Sequence, residues 1–581
     1  MKAPEVAGIL NEISMLLEVV GGDPFRAKAY ATAARRIEAS GADLEQLAAE
    51  GRLTTLPGVG QGIAEVIREI VSTGTSKLYE RLAAETPIGL YDLMRIKGLG
   101  PRRVRTLYAD LGIDSLDALE KAAASGKLAA LPNFGAKTTE KILESVAFAR
   151  AARGRRRLYA ALEVADRLLE WLGTLGTVSK ADLAGETRRD LEVVECVDLV
   201  AASKDPQAVL AAFRGLSGAA PDGPRKEGRE EIRFSDGLRA TLVCVEPKHF
   251  ATAQLYATGS GEHLRQLEAR AQSLGLRLAA DGLWRGDKRV ATRDEKAVYK
   301  ALGLAFIEPE LREGWGEIEA AAAGTLPMLV ELRDLRGTFH CHTTYSDGRA
   351  SLAEMGEATR ARGWRYLGIA DHSQSAGYAG GLPPARVMAQ QAEIDAWNKA
   401  QGGRGKQRVR LFKGVESDIL TDGSLDYSDD VLKSFDYVVG SVHSAFGIGE
   451  KAMTDRLLRA VRNPHITILG HATGRLLLRR GGYEVDVRAV IDAAAEHGVC
   501  VEINADPARL DVDWKNARYA AERGVLVPIN PDAHSTESLD HVQWGVRVAR
   551  KGWLGPRNVL NAFELEEVEE FFAARKQGRP P

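Results

Sequence analysis

After Gly337, short apolar runs (YLGIAD, RLFKGVE, YVVGSVH, ITILGH, VCVEIN, VLVPINPDAH) alternate with helical stretches, and nearly every run ends on a histidine or an acid. This alternation predicts parallel strands joined by crossover helices. In a barrel of that kind the C-terminal strand ends carry the functional groups. The candidates are His340 and His342 in FHCHTTYSDG, Asp347 in the loop after them, His372, Glu416, His443, His471, Asp532 and His534. Six of the eleven histidines are in this set. Imidazole with carboxylate and no thiolate favours zinc, manganese or iron. The set exceeds the needs of one ion, and three ions could share it. His249, His263, His465, His497 and His541 lack such a context and read as ordinary surface or capping residues.

The first ~150 residues read as helical. Three related stretches punctuate them: LPGVGQGIAEVI from Leu56, IKGLGPRRVRTL from Ile96 and LPNFGAKTTEKIL from Leu131. Each runs from apolar residues through a glycine turn into an amphipathic helix, the signature of a helix–hairpin–helix. The glycines (Gly58 and Gly60, Gly98 and Gly100, Gly135) permit a tight turn, and the helix N-terminus offers free N–H groups to a backbone phosphate. The third stretch departs from the pattern at Asn133 and Phe134. Basic clusters at Arg35-Arg36, PRRVR (101–105) and RGRRR (153–157) stand beside the hairpins as candidate phosphate neutralisers. The net charge is only −2, so any attraction to nucleic acid must come from such local patches.

With 581 residues the chain is too long for one core. Cys196, Cys244, Cys341 and Cys500 form no CxxC pair, which fits a reducing cytoplasm. No run approaches the ~20 apolar residues of a membrane span.

Between the two halves lies GETRRDLEVVECVDL (185–199). Asp198 falls in a short strand, and residue 196 shares its face about 7 Å away. Two carboxylates at that spacing would grip a pair of divalent metals. Here the second position is Cys196.

The run FHCHTTYSDG … DHS … GVESDIL … GSVHS … GHATGRLL … EINADPARLDVDW … PDAH resembles the PHP (polymerase and histidinol phosphatase) family across 337–575. The resemblance implies a trinuclear phosphoesterase site. His340, His342, Glu416 and Asp532 would hold one metal, and Glu416, His443 and His471 a second. Asp347, His372 and His534 would hold the third. Arg475 and Arg509 lie in segments where that family reads phosphate. Ala472 stands where relatives usually carry proline. The remainder resembles the bacterial family X DNA polymerases, through GGDPFRAKAY, the hairpins, LYATGSGEH and ALGLAFIEPELREGWGEIEAA. That family's strand motif is Arg-Arg-x-x-Glu-Thr-Val-Gly-Asp-x-Asp. Arg188, Arg189, Glu192 and Asp198 fall in place, but Cys196 occupies the first aspartate position and Thr241 the third. Gly185-Glu186 replaces a Gly-Ser phosphate motif. The resemblance makes Arg188, Tyr256, Gly259 and Ser260 nucleotide contacts, and Asp198 the residual catalytic carboxylate. Val66 stands where the family's lyase carries its lysine.

The expectation is a multi-domain α and α/β protein. A DNA-binding helical domain (1–85) precedes a fingers-like hairpin domain (86–153), a polymerase-beta-like palm (154–246) and a thumb (247–314). A linker (315–336) then leads to a distorted β/α PHP barrel (337–581). The expected function is DNA repair by a metal-dependent 3′–5′ exonuclease in the barrel, with an inactive or impaired palm. An active gap-filling polymerase and a non-catalytic DNA-binding scaffold are the alternatives. Three divalent metals are expected in the barrel, manganese first, with zinc or iron next and no secure magnesium in the palm. The expected partner is gapped, nicked or 3′-frayed DNA, bound through its backbone by a cytoplasmic monomer.

Overall fold

The computed structural model describes residues 3–40, 42–94, 96, 99–131, 134–224, 226–234, 237–401 and 408–577. Two compact units result, Met1–Arg153 and Gly154–Pro581.

The first unit is helical throughout its described residues. Its boundaries follow local chemistry. Ser76 and Ser115 accept from the third residue onward and cap the helices Lys77–Glu85 and Leu116–Ala124. Gly74 and Gly112, both left-handed, end Gln61–Thr73 and Pro101–Leu111. One core runs from Val6 to Leu82. A second runs from Leu90 to Val146 and takes in Val19.

The second unit opens on a five-stranded sheet in the order Val178–Ala184, Cys196–Ser203, Arg239–Val245, Arg229–Phe234, Ala219–Pro221. Cys196–Ser203 and Arg239–Val245 are parallel; the other pairings are antiparallel. The helix Leu158–Thr174 packs Leu158, Ala161, Ala165, Leu168 and Leu172 against it, the spacing of one helix face. Next come the helices Phe250–Thr258 and Gly261–Ser273, a small antiparallel sheet (277–290) and a separate core from Leu255 to Leu329. His263 corrects the sequence reading. It is fully buried between the Glu317 carboxylate (2.7 Å) and the Tyr299 hydroxyl (2.8 Å), because its helix face points into this core.

From Gly337 the strands are parallel, as the apolar runs predict, and join in sequence order through Gly337–Thr338, Tyr366–Ile369, Arg410–Lys413 and Glu416–Asp418 to Ile529–Asn530. The ring closes by a parallel bridge between Cys341 and Ala533, where the His342 N–H donates to the Ala533 carbonyl at 2.8 Å. Cys341 therefore faces the core while His340 and His342 face the other way.

Palm-side and barrel segments are joined by charge. Arg547 pairs with Asp190, a non-glycine residue at φ 54°, at 2.5 Å. Lys551 donates to the Arg189 carbonyl at 3.0 Å and to Glu313. Arg475 meets Glu192 at 2.9 Å, and Arg550 meets Glu310. Trp315, in the stretch expected to be a linker, packs on Trp514 of the barrel half with ring centroids 4.9 Å apart.

Glu295 is held between Arg188 and Arg312, three side chains at most 15% exposed. Burial pushes the Glu295 carboxyl up, but the two guanidinium groups outweigh it and hold it at about 2. Its stabilisation is complete above the ordinary carboxylate range and is lost as pH falls towards about 2. Glu295→Ala leaves two buried cations and should cost roughly 3–5 kcal/mol at neutral pH. In denaturant titrations the gap between parent and variant should narrow once the pH drops below about 4.5.

Candidate metal centre and palm site

Every strand-end residue singled out in the sequence projects into one nest at the barrel's C-terminal end. Glu416 lies at its centre, with 1% of its side chain exposed. His471 Nε2 approaches Oε1 at 2.9 Å, His443 Nε2 at 3.2 Å and His340 Nε2 at 3.4 Å, while His372 Nδ1 lies 2.9 Å from Oε2. Asp532 approaches His342 Nε2 at 3.1 Å, and Asp347 lies 3.4 Å from His534 and 3.7 Å from His372. Backbone strain is concentrated here, with His471 at φ 24° and Asp532 at φ 53°. Gly348 is required by the fold, since a Cβ there would lie 2.5 Å from the His342 carbonyl carbon; this close turn folds Asp347 back over His342.

Donor atoms that lie within 4.8 Å of one another fall into three groups: His342, Asp347, His372 and His534; His340, His342 and Asp532; and His372, Glu416 and His443. The grouping departs from the partition that the resemblance implied, because His342 and His372 each turn both ring nitrogens towards the nest. His342 reaches Asp532 and Asp347, and His372 reaches Glu416 and Asp347.

The donor set fits divalent cations. His342 Nδ1 and His471 Nδ1 are buried without a hydrogen-bond partner among the described residues, and His340 Nε2 and His372 Nδ1 are buried facing Glu416 without hydrogen-bond geometry. Outer carboxylates fix ring orientation, as at many metal sites: Glu502 takes His340 Nδ1 at 2.8 Å and Asp418 takes His443 Nδ1 at 2.6 Å. The sequence reading missed both residues. Their signal was present in VEIN and GVESD, where an acid follows a strand by the parity of the ligands. Asp371, next to His372, was also missed; it is buried and accepts from Thr343, Ser346 and Gln390.

Charges in the nest stabilise one another. Burial pushes the Glu416 carboxyl up, but the imidazoles of His443, His340 and His372 hold it well below its usual range. Burial lowers His443, yet Glu416 and Asp418 raise it to about 10. His342 is driven down to about 3 by burial and by neighbouring His534 and His372. Burial raises Asp347, but His534 and His342 bring it to about 2.

The two arginines diverge. Arg509 lies 3.5 Å from Asp532, at the nest. Arg475 corrects the expectation of a phosphate reader: its guanidinium is committed to Glu192, to the Arg509 carbonyl at 3.0 Å and to the Leu510 carbonyl. It braces the loop that carries Arg509, and its Nη1 lies 4.0 Å from Asp513.

In the palm, Asp198 stands directly opposite Thr241 in the parallel pair. Cys196 Sγ lies 3.2 Å from Thr241 Oγ1, so the three positions converge as the strand parity predicted. Burial raises Asp198 to about 6, a shift that Cys196 and Arg229 oppose, and burial raises the Cys196 thiol to about 12. Arg229 Nη2 lies 3.4 Å from Thr241 Oγ1, a cation beside the lone carboxylate. One carboxyl group, a protonated thiol and a hydroxyl do not fit a two-magnesium pair. Gly185, at φ 56°, has no room for a Cβ because Asp198 fills it, and the Glu186 carboxylate accepts from the Glu195 N–H at 2.6 Å. Glu192 was read as part of the strand, but the strand begins at Cys196 and Glu192 turns to Arg475 instead.

Other expected nucleotide contacts are occupied by protein. Arg188 bonds Glu295 and Thr258, and Tyr256 donates to Glu268 and to the Leu278 carbonyl. Ser260 caps the helix Gly261–Ser273, and Gly259 forms the turn before it, where a Cβ would press on His263 and Leu264.

In the helical unit, Gly60, Gly100 and Gly135 each precede a helix with no side-chain cap. A Cβ at any of them would meet no protein atom, so the fold does not demand glycine there. Its effect is to leave the first-turn N–H groups uncovered. Gly58, at φ 83°, is required by the turn. Gly98 lies outside the described residues. Val66 is a core residue. The RGRRR cluster is partly spent within the protein, Arg155 on Glu195 and Arg157 on the Leu477 carbonyl.

Comparison with known proteins follows the same division. A helix-hairpin-helix domain model matches residues 1–76, and a SAM-like helix-hairpin-helix tandem matches 90–147. A DNA polymerase beta thumb matches 253–313 and a PHP domain 338–506. A "Probable phosphatase" of Clostridium acetobutylicum is 34% identical over 178 residues, 29% of this chain and 70% of its own. Another of Vibrio atlanticus is 29% identical over 213 residues, covering 35% and 79%. The "DNA polymerase/3'-5' exonuclease PolX" of Bacillus subtilis is 35% identical over 580 residues, 98% of this chain and 99% of that protein. With hairpins, thumb and PHP barrel matched in order along its length, the chain belongs to the bacterial PolX family.

Proposed function

We propose that the barrel is a metal-dependent phosphodiesterase that degrades DNA 3′–5′, that the hairpins hold the DNA, and that the palm is inactive or impaired in nucleotide addition. The observation that carries this reading is the contrast between the two sites. The nest brings nine imidazole and carboxylate side chains together with unpartnered ring nitrogens, while the palm retains one carboxyl group. A second reading, an active polymerase, is favoured by the likeness to the Bacillus subtilis DNA polymerase/3'-5' exonuclease. We also take the six domain limits expected above as the working division, supported by the separate cores.

His340, His342, Asp347, His372, Glu416, His443, His471, Asp532 and His534 would hold three cations, manganese first, with zinc or iron as alternatives. Bound there, the cations supply Lewis acidity towards phosphate and lower the pKa of water. The chain's own residues do the rest. Glu502 and Asp418 keep the ring nitrogens of His340 and His443 turned inward. Arg509 offers a fixed cation beside Asp532, where a phosphate oxygen gains from it. Gapped, nicked or frayed DNA is the substrate class, and the four free cysteines suit a reducing cytoplasm.

His340→Ala with His342→Ala should reduce Mn²⁺-dependent 3′–5′ degradation by at least about 100-fold and leave DNA binding nearly unchanged. Undiminished degradation by a clean preparation would place the activity elsewhere.

Hairpin contacts reach only phosphates, so binding should weaken steeply with salt and show no sequence preference. Gly60→Leu should lower DNA affinity while metal content and thermal unfolding match the parent, because its side chain points into open space. Equal affinity would remove this hairpin from the interface.

With the nuclease silenced, primer extension should be absent or marginal with Mg²⁺ or Mn²⁺. Cys196→Asp with Thr241→Asp and Glu186→Ser supplies three facing carboxylates and removes a charge, and some nucleotide addition should then appear. Robust extension by the unrestored palm supports the polymerase reading instead.

A further inference from the structure

His372 follows the strand Tyr366–Ile369 and bridges to Glu416, and the chain then loops past the nest before entering the helix Pro384–Ala400. The loop is pinned on both sides. Leu382 N–H returns to the His372 carbonyl at 2.9 Å, and Gly381 and Ala379 N–H both donate to the Ala376 carbonyl. Ser375 N–H donates to Asp426 at 2.7 Å, and the Ser375 hydroxyl donates to Asp418, the outer partner of His443. Ala376 and Ala379 are buried, and a Cβ at Gly381 would overlap the Ser373 carbonyl.

On this fixed backbone Tyr378 is 73% exposed, in the short turn Gly377–Ala379. Its ring centroid lies 6.1 Å from that of His372 and 6.3 Å from that of His443, at 60° and 72°. The ring therefore sits over two candidate ligands from different strands and stacks flat on neither. No hydrogen bond to its hydroxyl occurs among the described residues. A large aromatic side chain on a pinned loop at the rim of a charged nest, with most of its surface in water, has the form of a stacking platform.

We propose that Tyr378 stacks the base of the 3′-terminal nucleotide while its phosphodiester occupies the nest, so that the site takes an unpaired 3′ end. This inference rests on the nuclease reading above. A base is separated from its phosphate by one sugar, a spacing that matches a ring set just outside the ligand shell. A paired terminal base is held by its partner and by the pair beneath it, and drawing it onto Tyr378 costs least when the nucleotide is already unpaired. Stacking is tolerant of base identity, which suits a nuclease that removes any nucleotide.

The test uses the full chain, Mn²⁺ and two single-stranded oligonucleotides, one ending in adenosine and one in a 3′-terminal abasic residue. For the parent, KM should be about 10- to 100-fold lower on the adenosine end. In Tyr378→Ala that ratio should fall to near one, with kcat on the adenosine end changing much less than KM. Tyr378→Phe and Tyr378→Trp should restore the ratio, since either ring can stack. An active parent and a Tyr378→Ala variant with the same ratio overturn the stacking role alone. Silence of the parent on both oligonucleotides overturns the nuclease reading beneath it.

Discussion

A carboxylate with almost no exposure to water, faced by four imidazoles, sets the terms for the barrel half of this protein. Glu416 cannot stay charged at that depth without its histidines, and the histidines cannot be held so close without its charge. The ring closure at Cys341 and Ala533 and the left-handed backbone at His471 and Asp532 serve to bring these groups to one point from many strands. Burial alone would neutralise them separately; together they form an assembly that a cation completes.

The site around Asp198 lacks such mutual support. Strand register and side-chain parity are intact, and Asp198, Cys196 and Thr241 still converge. Geometry of this kind is a property of the sheet and survives replacement of its chemistry. With a thiol and a hydroxyl facing it, burial dominates and raises the Asp198 carboxyl group to about 6.

Much of this was readable from the sequence, for a physical reason. A parallel strand points its C-terminus one way and alternates its side chains strictly, so an acid or histidine closing an apolar run has its direction fixed before the fold is known. The same parity placed Cys196 beside Asp198. Assignment of donors to particular groups was not readable, because it depends on which ring nitrogens His342 and His372 turn to which neighbour. Nor could the sequence separate Arg475 from Arg509. Both lie in loops at the strand ends, and only long-range partners separate them, Glu192 for Arg475 and Asp532 for Arg509. His263 was misread for the same reason, its partners Tyr299 and Glu317 being far along the chain.

The charged seam between palm and barrel bears on how this chain can be divided. Arg475, Arg547, Arg550 and Lys551 all belong to the barrel half, and each finds its counter-charge before residue 314. A fragment cut at the sequence boundary near Gly337 would lose these four counter-charges, with Trp514 stripped of Trp315. The part of the chain that precedes the barrel therefore does more than its own chemistry, because its carboxylates are the counterions of the barrel half.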